Sequence, residues 1–97
     1  MVDSAPVKLS PADIVELNPT FLYRWEEAQQ SHVLLYPEGL VKLNDTAAAI
    51  LGQCLTARPI AEVIAALCAA FGTSDIDGDV IEFLETSFDK GWVRVKA

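Results

Sequence analysis

The chain has 97 residues and a formal charge of −7, from 14 acidic and 7 basic side chains. That length sets one domain with one compact core, and a hydrophobic content of 52% excludes a disordered chain. No apolar run approaches the ~20 residues of a membrane span, so no membrane is expected as a partner.

Phosphate binding relies on clustered Lys and Arg that displace condensed counterions. Here Lys8, Arg24, Lys42, Arg58, Lys90, Arg94 and Lys96 are scattered. Nucleic acid is therefore not an expected partner, and one carrying basic residues fits better. The start, Met1-Val2-Asp3-Ser4, lacks the basic and apolar regions of a secretory signal, so a cytoplasmic protein is expected.

Residues 1–18 carry Pro6 and Pro11 and show no sustained period, an irregular N-terminal lead-in to a domain over 19–97. Within it, Ser10 as N-cap and Pro11 at the first position predict one helical turn over 10–17. The run Phe21 to Glu26 alternates, with Phe21, Tyr23 and Trp25 on one face of a strand. Ser31 to Tyr36 is a second strand, with His32, Leu34 and Tyr36 on one face and Val33 and Leu35 on the other. Pro37-Glu38-Gly39 reverses the chain, and Leu40 to Leu43 is a short third strand of an antiparallel meander.

Helical spacing then takes over. Asn44 is a good N-cap, and Ala47, Ile50, Leu51, Cys54 and Leu55 form the first apolar stripe. Gly52 inside that helix costs about 1 kcal/mol relative to Ala, which predicts close packing there. Pro59 opens a second helix with the stripe Ile60, Val63, Ile64, Leu67, Cys68 and Phe71, and Gly72 stops it. A third helix begins near Thr73-Ser74-Asp75, with Ile76, Val80, Phe83, Leu84, Ser87 and Phe88 on one face. Gly91 ends it, and Trp92 to Val95 reads as a short strand. The fold class is α+β: a small winged-helix-like domain, a three-stranded antiparallel sheet followed by three helices.

No catalytic constellation emerges, and no enzyme is expected. His32 is the only histidine and sits on a strand. Tetrahedral zinc needs four ligands, which Cys54, Cys68 and His32 do not supply; both cysteines are expected as buried packing residues. Asp75-x-Asp77-x-Asp79 lacks the glycine position and closing glutamate of a calcium loop. Neither a metal nor any other cofactor is expected.

What remains is a surface. The third strand is short, terminal in the meander, and expected to have a free edge whose unpaired N–H and C=O groups accept an added strand. The candidate site is Leu40, Val41, Lys42 and Leu43 on that strand with Val80, Phe83, Leu84 and Ser87 on the third helix. Val41→Pro is expected to abolish peptide binding by removing a ladder donor.

Arg24-Trp25-Glu26-Glu27-Ala28-Gln29, the run Val33 to Asn44 with Thr46-Ala47, and Gly91-Trp92-Val93 together resemble the PqqD family, the peptide chaperones of pyrroloquinoline quinone biosynthesis. The resemblance covers about residues 18–95. It implies a non-catalytic domain that binds the precursor peptide PqqA and presents it to the radical S-adenosylmethionine enzyme PqqE, which holds the iron–sulfur chemistry. It also implies that the peptide lies against the third strand and third helix, matching the residues above by position. The alternative function is a winged-helix DNA-binding regulator, which requires a basic recognition helix; the third helix carries Asp77, Asp79, Glu82, Glu85 and Asp89. A monomer or a strand-exchanged homodimer is compatible with the short Pro37-Glu38-Gly39 hinge.

Overall fold

Two three-stranded antiparallel sheets and three helices build the computed structural model, which describes residues 8–96. The expectations for Met1 to Val7 lie outside the described residues. In chain order the elements are β1 (Ile14–Leu17), β2 (Leu22–Glu26), β3 (Ser31–Tyr36), β4 (Gly39–Lys42), α1 (Asp45–Gly52), β5 (Arg58–Pro59), α2 (Ile60–Phe71), α3 (Asp77–Asp89) and β6 (Val93–Lys96).

The meander forms as the alternation requires, with order β2-β3-β4. Tyr23 pairs with Leu34, Trp25 with His32, and Leu34 in turn with Val41. Pro37 and Glu38 form the two-residue turn, and Gly39 follows at a φ of +156° that L side chains rarely adopt. On the helix-facing side His32 stacks on Tyr23 at 5.0 Å between ring centroids and meets the edge of Trp25 at 5.2 Å. The lone histidine is thus part of a cross-strand aromatic cluster.

The second sheet has order β5-β1-β6 and corrects the reading of residues 10–17. Ser10 and Asp13 close a turn: the Asp13 N–H donates to the Ser10 carbonyl (3.0 Å) and the Ser10 N–H to Asp13 Oδ2 (2.8 Å). Past that turn Ile14–Leu17 extends instead of coiling. Long-range pairing outweighs the local helix signal, since Ile14 pairs with Lys96 and Leu17 with Val93. Val15, at the centre of this sheet, is fully buried. The same segment caps α2: the Ile60 N–H donates to the Asp13 carbonyl and the Ala61 N–H to the Pro11 carbonyl, both at 2.9 Å. These bonds satisfy helix donors that Pro59 at the N-cap leaves without a side-chain acceptor.

Asn44 caps α1 as expected, its Oδ1 accepting from the Ala47 N–H at 2.7 Å. Gly52 is where close packing was predicted. A Cβ there would lie 3.0 Å from the Tyr23 hydroxyl, which donates to the Ala48 carbonyl at 2.8 Å and pins α1 to the sheet. The stripe expected to run on to Leu55 stops short: the helix ends at Gly52, and Leu55 is exposed in the following turn. Gly72 ends α2 in the left-handed conformation, φ +61°. Asp75 takes a φ of +63°, which delays the start of α3 to Asp77.

One core joins both sheets to the helices, through Val15, Leu34, Leu51, Ile60, Val63, Leu84 and Val93. Cys54 is fully buried within it, and burial pushes its thiol up to about 11. Cys68 is only half-buried, and both thiols are free.

Candidate functional site

β4 pairs with β3 alone among the described residues, so its other edge is open. The register fixes which backbone groups that edge offers. The Leu43 N–H donates to the His32 carbonyl at 3.0 Å, which makes Leu43–His32 a directly bonded pair. Directly bonded and non-bonded pairs alternate in an antiparallel ladder. Val41 and Gly39 therefore bond inward to β3, opposite Leu34 and Tyr36, while the N–H and C=O groups of Leu40 and Lys42 point outward. This corrects the expected effect of Val41→Pro. Proline at 41 removes a donor the fold uses itself, and the groups available to a guest strand belong to positions 40 and 42.

Within three residues of Lys42 the chain enters α1, and its first turn borders a groove of about 330 Å³. Asp45, Thr46, Ala49 and Ile50 of α1 form one wall. Ile76 and, from α3, Asp79, Val80 and Phe83 form the other; Leu67 and Phe71 of α2 and Thr73 close the end. The lining is mainly apolar, with the exposed carboxylates of Asp45 and Asp79 at its rim. Phe71, expected in the core stripe of α2, is 62% exposed. It is the last residue of its helix, beyond the reach of the core, and its ring stands at the groove instead.

The eight residues singled out from the sequence fall into three groups. Leu40 and Lys42 are exposed on the open edge, and Val41 is half-buried beside them. Phe83 lines the groove half-buried, and Val80 borders it from the core, only 3% exposed. Leu43, Leu84 and Ser87 are sealed in the interior, and the Ser87 hydroxyl has no hydrogen-bond partner. The contribution of α1 was missed. Its sequence signals were Asp45 and Thr46 directly after the N-cap, which helix capping alone explains, and Ile50, which the apolar stripe assigns to the core. Among the described residues no cluster of His, Cys, Asp or Glu has the makings of a metal site.

An open edge strand running into an apolar groove on a winged-helix-like α+β domain defines a class of small domain suited to recognising extended peptides. The family model for coenzyme PQQ synthesis protein D (PqqD) matches residues 31–93. The PqqA binding protein of Azotobacter vinelandii is 54% identical, over 86% of this chain and 91% of that protein. The PqqA binding protein of Methylococcus capsulatus is 42% identical, over 91% and 95%. The chain belongs to the PqqD family. Its fold is also that of a solution NMR structure, the PqqD truncation of Methylobacterium extorquens PqqCD, described as a stand-alone recognition element for ribosomally synthesized and post-translationally modified peptides. That structure matches with a TM-score of 0.75 at 24% identity, covering 92% of this chain and 97% of its own.

Proposed function

We propose that this chain is a non-catalytic chaperone that binds PqqA by strand addition to β4 and presents it to PqqE in the cytoplasm, as a step of pyrroloquinoline quinone biosynthesis. The relatives named PqqA binding proteins support the peptide's identity. The observation that carries the mode of binding is the open edge, where Leu40 and Lys42 turn two N–H and two C=O groups outward. A peptide strand laid there meets the groove at Asp45 and Thr46, where an apolar side chain finds Val80 and Phe83. One copy of the chain carries both features, so a monomer suffices. The chain's part is to hold and orient the peptide; bond-forming chemistry falls to the enzyme that receives it.

The test is calorimetric titration with synthetic PqqA, beside an unrelated peptide of similar charge. Wild type is expected to bind PqqA selectively. Lys42→Pro removes one outward donor, worth about 0.5–1.5 kcal/mol, and turns its ring toward the guest strand while leaving the β3–β4 ladder intact. It is expected to weaken PqqA binding by about tenfold or more. A folded Lys42→Pro variant with wild-type affinity would sink strand addition at β4.

A further inference from the structure

The side of the meander turned away from the helices is not a uniform polar surface. Leu22 pairs with Leu35 and Leu35 with Leu40, so three leucines form one row across β2, β3 and β4. Leu22 is 57% exposed and Leu40 46%, with Leu35 half-buried between them. The next row is Arg24, Val33 and Lys42, in which the buried Val33 lies between two exposed cations. Neither cation has an ion-pair partner among the described residues, whereas Arg94 and Lys96 both sit on Glu16. Glu26, half-buried at the far end of β2, is the acidic side chain on this face of the ladder. A chain of net charge −7 thus presents an apolar row beside two cations, Arg24 and Lys42, that have no ion-pair partner among the described residues.

Alternation along β4 connects this face to the peptide edge. Leu40 and Lys42, whose backbone groups point outward, carry their side chains on this same outer face. A strand added to β4 therefore sets every second side chain beside Leu40 and Lys42, and the leucine row gains a fourth member supplied by the peptide.

We propose that the outer face of the meander is the docking surface for the enzyme that receives the peptide, and that it engages an apolar patch rimmed by carboxylates. This rests on the chaperone reading above. Peptide and chaperone together form the surface, so the enzyme reads the loaded chaperone in preference to the empty one. Charge selects this occupant over a second copy of the chain. Two such faces brought together set Arg24 and Lys42 against their own counterparts, and like charges juxtaposed across an interface oppose association.

The test uses Leu22→Gln and Arg24→Glu, both on β2 and away from the open edge. Each is measured in the full chain for folding by circular dichroism, for PqqA binding by calorimetry, and for binding to purified PqqE with and without PqqA. Both variants are expected to fold and to hold PqqA within twofold of wild type. Each is expected to weaken PqqE binding tenfold or more and to abolish the gain in PqqE affinity that PqqA confers on wild type. For Arg24→Glu the loss shrinks as salt rises; for Leu22→Gln it does not. Wild-type PqqE affinity in both folded variants overturns this proposal and leaves the chaperone reading intact. Failure of wild type to bind PqqA overturns the chaperone reading and this proposal with it. Concentration-dependent dimers of wild type by light scattering, lost in Leu22→Gln, assign the face to self-association and likewise overturn it.

Discussion

The two sheets have the same strand count and opposite treatments of their edges. In the β5-β1-β6 sheet one outer strand is two residues long and includes Pro59, which has no N–H to offer. The other, β6, carries Arg94 and Lys96, and both charges are tied back to Glu16 on β1. Short strands, proline and charge are the usual means of closing an edge to outside chains. β4 has glycine, leucine, valine and a single lysine, and no element lies hydrogen-bonded along its outer side among the described residues. One sheet is built to hold the fold closed and the other to leave a place open. The same backbone chemistry serves both, and the side chains at the edge decide which.

The sharpest way to break this contrast is to place a charge in each sheet. Val15→Asp buries an unpaired carboxylate at the centre of the closed sheet and is expected to cost at least about 3 kcal/mol. In a domain this small that removes most of the folding transition, as thermal denaturation would show. Leu22→Asp, on the exposed row of the open sheet, is expected to leave Tm within a few degrees. Second comes proline within β4. Val41→Pro breaks an inward ladder bond and leaves its acceptor unpaired, for an expected cost of about 1–3 kcal/mol, whereas Lys42→Pro costs less than about 1 kcal/mol because its donor faces outward. Equal losses of Tm would contradict the assigned ladder.

The third prediction concerns pH on the closed side. The Cys54 carbonyl accepts from the Leu17 N–H at 2.7 Å, so this buried residue sits where β1 meets the turn after α1. Burial raises its thiol from 9.0 to about 11. The unfolded chain therefore loses that proton first, and stability present below pH 9 declines as pH rises toward 11. The expected size is on the order of 2 kcal/mol. Cys54→Ala should flatten this part of a denaturation-versus-pH profile. In the native protein a thiol reagent should label half-buried Cys68 well before Cys54.

Much of the architecture was legible because its causes are local. Asn44 and Gly72 mark helix ends through bonds that close within a few residues. The meander follows from alternation and one turn. Ile14–Leu17 was not legible, because its partners are Arg58, Pro59 and the strand Val93–Lys96, far along the chain. Ser10-Pro11 imitates a helix start when those partners are out of view. The groove was half legible. Val80 and Phe83 lay on a stripe readable from α3, but the opposing wall on α1 and the exposed ring of Phe71 depend on how three helices converge. Leu84 and Ser87 share that stripe and yet face inward, because a helical stripe does not declare where its core side ends.

Two smaller effects sharpen the picture of how the parts are joined. Gly52→Ala, at the last residue of α1, gains less than the about 1 kcal/mol of an interior position and forces the Tyr23 hydroxyl off the Ala48 carbonyl, for an expected net loss of about 1 kcal/mol. In a Tyr23→Phe background, which removes the obstructing oxygen, the same change is expected to stabilise, and a double-mutant cycle by denaturant titration measures the coupling. Smallest of all, Glu16→Gln releases the solvent-facing pairs with Arg94 and Lys96, and is expected to cost less than about 1 kcal/mol.

The pairing of β1 with β6 has a consequence for protein architecture beyond folding. Strands near the two ends of the described chain lie side by side in the closed sheet, while the open edge belongs to the other one. A covalent neighbour attached beyond either strand, or a linker joining the two, has no need to cross β4. The M. extorquens relative was itself excised from a longer polypeptide, PqqCD. Tandem fusions and circular permutants of this domain are therefore expected to fold with the β4 edge left uncovered.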